Sequence, residues 1–111
     1  MIFMAKFETT LSGNFDEILN NIQEGILSAS FSATLEDSSD FLFGNSRCSV
    51  RVFERYSAFG SNRVSMNVTL FQSDNSLIYL SAITSGGSQA MFFKINTVGE
   101  EAFLDTLKEI I

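Results

Sequence analysis

Arg47-Cys48-Ser49-Val50-Arg51-Val52-Phe53-Glu54-Arg55-Tyr56 and, after a short break, Arg63-Val64-Ser65-Met66-Asn67-Val68-Thr69-Leu70 alternate in character at every second position. Period two over runs of this length marks strands with one covered and one wet face. Gly60-Ser61-Asn62 lies between them and has turn chemistry, so the two runs read as a hairpin. In the second run Val64, Met66, Val68 and Leu70 form the apolar side. In the first, Cys48, Val50 and Val52 are assigned to the core by residue type. Arg47, Arg51 and Arg55 then share the opposite, solvent face.

Working towards the N-terminus, Phe31, Ala33 and Leu35 alternate with polar residues and predict another strand. Glu36-Asp37-Ser38-Ser39-Asp40 reads as a polar loop, with Phe41-Leu42-Phe43 in a connection. Asn14 and Glu17 resemble a capping box that opens a helix with Phe15, Ile18, Leu19 and Ile22 on one face. Asp16 and Glu17 suit its first turn, and Gly25 is expected to close it in a left-handed conformation. Before it, Phe3, Ala5, Phe7, Thr9 and Leu11 alternate as a first strand.

Towards the C-terminus, Ser73-Asp74-Asn75-Ser76 predicts a turn, and Leu77 to Ile83 is apolar at nearly every position, as in a strand covered on both faces. Ser85-Gly86-Gly87-Ser88 separates it from a further short strand expected over Ala90 to Ile95. Thr97 and Glu100 form a second capping box, followed by Phe103, Leu104, Leu107, Ile110 and Ile111 at helical spacing, with Lys108 near the end. The predicted order is β-α-β-β-β-β-(β)-α in one domain, residues 1–111. Connections this short imply antiparallel neighbours. The fold class is therefore α+β: a two-layer sandwich, its antiparallel sheet of five or six strands covered by two helices on one face. The order resembles the helix-grip architecture of small lipid- and hormone-binding domains.

Composition narrows the function classes. The 111 residues carry 7 Lys+Arg against 13 Asp+Glu, a net charge of −6, with 12 Phe, one Cys and no His, Trp or Pro. Without His there is no Ser-His-Asp triad, Cys-His dyad or His-ligated metal site. A single Cys excludes disulfide frameworks and multi-cysteine metal sites within one chain. The acidic balance argues against a nucleic-acid partner. No apolar run is long enough to span a membrane, and the first charge follows the opening apolar residues, the reverse of a secretory signal. A cytoplasmic location is the expectation. No catalytic residue, metal site or cofactor is implied.

Four stretches look familiar together: residues 32–40, Val52-Phe53-Glu54-Arg55-Tyr56-Ser57, residues 62–70, and Ser81-Ala82-Ile83-Thr84-Ser85-Gly86-Gly87-Ser88-Gln89-Ala90-Met91-Phe92-Phe93-Lys94-Ile95-Asn96. They resemble an uncharacterised family of small bacterial proteins, domain-of-unknown-function family 6054. The resemblance implies a complete, stand-alone bacterial protein and carries over no activity and no catalytic residue.

Three groups of residues are candidates for function. Arg47, Arg51, Phe53, Arg55, Arg63 and Phe71 are expected on one sheet face, where arginine forks bind carboxylate or phosphate and exposed Phe suits a partner surface. The plainer account is a wetted face whose arginines pair with Glu36, Asp37 or Asp40. Glu54 and Tyr56, with Arg55, are candidate anchors for a small anionic or apolar ligand between the sheet and the C-terminal helix. Ser85, Gly86, Gly87, Ser88 and Gln89 form a glycine-rich loop that lacks the lysine of a phosphate loop, and a hairpin or bulge explains it as well. Asp37 to Asp40 lacks the spacing of a calcium loop. The favoured expectation is a non-enzymatic module that associates with another copy of itself through the Arg/Phe face. The rival is a small-ligand binder.

Overall fold

The sequence folds into five strands and two helices in a computed structural model that describes residues 2–56, 62–74, 76–87 and 93–111. They are β1 (Ile2–Leu11), α1 (Phe15–Ser28), β2 (Thr34–Phe43), β3 (Ser46–Tyr56), β4 (Arg63–Gln72), β5 (Ile78–Gly87) and α2 (Phe93–Ile110). The sheet order is β1-β5-β4-β3-β2 with every neighbouring pair antiparallel. The four strands after α1 form a meander, and β1 closes onto its last member. The α+β two-layer architecture is the expected one.

Both helices cover one face. Phe15, Leu19, Ile22 and Ile26 of α1 and Phe103, Leu104 and Leu107 of α2 are buried against Phe53, Val64, Met66, Val68, Leu70, Ile78, Leu80 and Ala82. Helix α2 lies over β1, β5 and β4, and α1 packs beside it towards β2. Asn14 caps α1 by accepting a 2.9 Å hydrogen bond from the Glu17 amide. Gly25, however, is interior to α1, which runs on to Ser28. Its role is steric: a Cβ there would lie 2.7 Å from Ile110 Cδ1 of α2. Glycine permits this close approach of the two helices.

Four local expectations change. Residues 36–40 are not a loop; they lie within β2, with a register shift between Leu35 and Asp37. An edge strand hydrogen-bonds on one side only, so polar and acidic residues are tolerated there and discourage pairing with other chains. Phe41 to Phe43 are the end of that strand, before a two-residue turn in which Gly44 takes φ +58°, the glycine position of a type II′ hairpin. Phe31 lies in a turn, fully exposed, rather than in a core-facing strand position. The optional sixth strand is absent over residues 93–95, which are the first residues of α2; residues 90–92 lie outside the described set. A short apolar run fits strand and helix equally well.

The fifth change concerns the decisive stretch itself. Register pairs Ser49 with Leu70, Arg51 with Val68 and Phe53 with Met66. The arginines of β3 therefore face the helices, and Cys48, Val50 and Val52 face away. Tyr56 opposes Arg63, so the connection spans six residues, 57–62, not three. That even-numbered connection reverses the parity between β3 and β4.

Candidate functional site

The arginine strip is real as a geometric feature and is used within the molecule. Arg47 donates to Asp16 Oδ1 at 2.8 Å and lies 4.1 Å over the Phe15 ring. Arg51 pairs with Asp40 at 3.1 Å, donates to Gln23 Oε1 at 3.2 Å and reaches the Val50 carbonyl at 3.0 Å. Arg55 donates to Thr106 Oγ1 at 3.2 Å and stacks 4.3 Å over Phe103. The strip thus runs beneath the two helices, its apolar stems against the core and its heads at the polar rim. Hydrogen bonding holds both carboxyls below their ordinary range: from Arg47 at Asp16, and from Ser49 first, then Arg51, at Asp40. Burial lowers the Arg55 guanidinium.

The six residues expected on one face divide between two. Phe53 is fully buried on the inner face with the three arginines of β3. Phe71 opposes Cys48 and Arg63 opposes Tyr56, both on the outer face. Arg63 there is engaged by Glu54, with Glu36 at 3.9 Å. Glu54, Tyr56, Arg55 and Arg63 do come together, though only Arg55 reaches the C-terminal helix, and the others are not in a pocket between that helix and the sheet. They border a surface hollow of about 220 Å³ where β3 extends past the start of β2.

Of the glycine-rich segment, Ser85, Gly86 and Gly87 belong to β5, with Gly86 between Phe3 and Val64 in register, while Ser88 and Gln89 lie outside the described residues. The Ser85 and Ser65 hydroxyls are 3.1 Å apart on the outer face. Among the described residues, no group of three or more Cys, Asp or Glu side chains is placed to hold a metal ion, and no helix is long and apolar enough to cross a membrane.

The outer face is what sequence reasoning missed. No described residue forms a layer over it, and directly opposed residues form rows across all five strands. One row runs Phe41, Cys48, Phe71, Tyr79, Thr10. Phe41, Phe71 and Tyr79 are 65%, 41% and 55% exposed. The next row is Ser39, Val50, Thr69, Ser81, Glu8, and the one after it is Asp37, Val52, Asn67, Ile83, Lys6. A shallow hollow of about 530 Å³ opens beside Phe71 and Tyr79, bordered by Thr10, Thr69 and Ser81. Scattered single apolar residues on a surface are ordinary; an ordered aromatic row on one exposed sheet face is less so, which makes this face the candidate site. The signal was available in Leu77 to Ile83. An apolar run that looks covered on both sides has only one side covered here, leaving Leu77, Tyr79 and Ile83 exposed.

With this geometry described, the chain can be placed among known proteins. Residues 4–111 match the sequence profile of a family of unknown function, DUF6054, and the chain belongs to that family. Among curated proteins nothing matches. A solved Pseudomonas aeruginosa protein of unknown function, PA94, described also as a candidate regulator, superposes with TM-score 0.53 at 9% identity over 100% of this chain and 82% of its own. Weaker likenesses, each with TM-score 0.43 and 10% identity, are a hypothetical Helicobacter pylori protein, jhp0584 (95% of this chain, 85% of that one), and the Saccharomyces cerevisiae Ran-binding protein Mog1p (98% and 65%). The similarity to PA94 concerns the fold alone.

Proposed function

We propose that this protein is a non-enzymatic interaction module of the bacterial cytoplasm that self-associates by packing the outer faces of two sheets together. The observation that carries the reading is the exposed row Phe41, Phe71 and Tyr79 on a face that no described residue covers. Size supports it. Five strands about 4.8 Å apart and ten residues long present about 24 by 33 Å, or about 800 Å² per copy, which is what one partner contributes to a standard stable interface. Two such sheets face to face make a β-sandwich, with layers about 10 Å apart. The arginine strip has no part in this contact, because the helices already occupy it. A half-buried free Cys48 on the contact face suits a reducing compartment.

Size-exclusion chromatography with light scattering tests the reading. The wild-type chain is expected at twice its 12.3 kDa mass, and Phe71→Glu, which buries a carboxylate in the contact, at the single-chain mass with its fold intact. A wild-type monomer at high concentration, or a Phe71→Glu variant that still dimerises fully, contradicts it.

A further inference from the structure

The geometry points to a specific pairing: the two outer faces meet about a two-fold axis running along β4, parallel to the strands, so that Lys6 of each copy faces the partner's Asp37. This inference rests on the self-association reading and adds its symmetry and its charge register.

Three observations carry it. First, β4 is the middle strand, with β5 and β1 on one side and β3 and β2 on the other. An axis along β4 lays each cross-strand row on its own copy with the edges exchanged. Second, the row Asp37, Val52, Asn67, Ile83, Lys6 is charged only at its two ends, with opposite signs. Both end residues are exposed, and among the described residues neither has an ion pair, whereas Glu54 and Arg63 on the same face are paired with each other. The exchange sets Lys6 over the partner's Asp37 twice, Ile83 over Val52 twice, and Asn67 over Asn67. Third, the aromatic row falls on itself, with Phe71 against Phe71 and Tyr79 against Cys48 and the neighbouring Phe41. An axis across the strands would instead carry the aromatic row towards Glu54, Ser65 and Ser85, which lie at the opposite end of the face.

Packed sheets are rotated by about 30°. At the edge strands, about 10 Å from the axis, this displaces facing residues by about 5 Å, an offset that lysine's flexible four-carbon stem can span. Complementary charges at a contact fix register and orientation more than they add affinity.

Sedimentation equilibrium at low ionic strength reads the pairing through charge exchange. Lys6→Glu and Asp37→Lys should each weaken dimerisation about tenfold, because each places two like-charge contacts in the interface. The double variant Lys6→Glu/Asp37→Lys should return to within about threefold of wild type, and raising the salt should shrink the effect of the single changes. Both positions are exposed, so circular dichroism melts should remain near wild type. If the wild-type chain dimerises but the singles have no effect, or the double fails to recover, the register is wrong while the outer-face contact stands. Recovery of Lys6→Glu by Glu8→Lys instead would indicate a crosswise axis or β1-to-β1 edge pairing, and would overturn the proposal. A monomeric wild type overturns the contact and the register together.

Discussion

At the scale of the residue, Gly25 shows how two effects of one methyl group compete. Replacing a glycine inside a helix by alanine normally stabilises by about 1 kcal/mol through backbone entropy. Here the new Cβ meets three atoms of Ile110 at 2.7, 2.8 and 3.1 Å, so turning the terminal methyl aside does not clear the overlap. Overpacking of this kind costs about 1–3 kcal/mol and outweighs the gain. Gly25→Ala should therefore destabilise the fold by about 1 kcal/mol in urea unfolding. In an Ile110→Ala background the same change should stabilise, and that reversal of sign is a coupling between contacting residues. Equal effects in both backgrounds would mean that the helices do not meet at this point.

At the scale of the element, β3 is the informative case, and its alternation fits two opposite placements. Cys48, Val50 and Val52 look more apolar than Arg47, Ser49 and Arg51, so residue type alone chooses the wrong face. The deciding quantity is parity across the connection to β4. Val64, Met66, Val68 and Leu70 fix the core side of β4 without ambiguity, and a six-residue connection then requires the odd positions of β3 to face inwards. Reading the turn as Gly60-Ser61-Asn62 shortened the loop to an odd number and flipped every side chain of β3. The mutational contrast is direct. Phe53→Ala should cost about 3–5 kcal/mol, as expected for a fully buried aromatic. Val52→Ala, on the half-exposed outer side, should cost under about 1 kcal/mol in the isolated chain. Reversed magnitudes would restore the residue-type reading.

Elsewhere the sequence was legible where the signal was local. The capping oxygen of Asn14, the periodicity of both helices and the alternation of β1 and β4 need no knowledge of neighbours. What stayed hidden depended on neighbours: that β2 is an edge and tolerates acidic residues, that Gly25 sits at a helix crossing, and that the second face of β5 is left bare. For the same reason the three arginines of β3 share one face as their spacing predicts, but that face lies under the helices, and Arg63 lies on the other.

At the scale of the whole molecule, the distribution of charge and apolar surface forms one pattern. The radius of gyration, 14.4 Å, exceeds the roughly 13 Å typical of a chain this long, and the extents of 47 × 25 × 21 Å describe an elongated body. Two layers bury one side of a five-stranded sheet; a third layer is needed to bury the other, and that is the place the proposed second copy takes. The net charge of −6 keeps the surface soluble, while the outer face retains few charges and a row of aromatics. Arginines on the inner side serve to seat α1 and α2, which leaves the bare face as the surface available for contact.

The single cysteine provides the most direct test, since Cys48 lies in the aromatic row between Phe41 and Phe71 and no substitution is needed to use it. The rate of thiol labelling at Cys48 should be measured across protein concentrations from nanomolar to millimolar. Self-association through the outer face predicts a rate that falls at least about tenfold as concentration rises through the dimer dissociation constant, in step with the dimer mass. A rate that stays constant over the whole range, or that stays constant while the mass doubles, would contradict it.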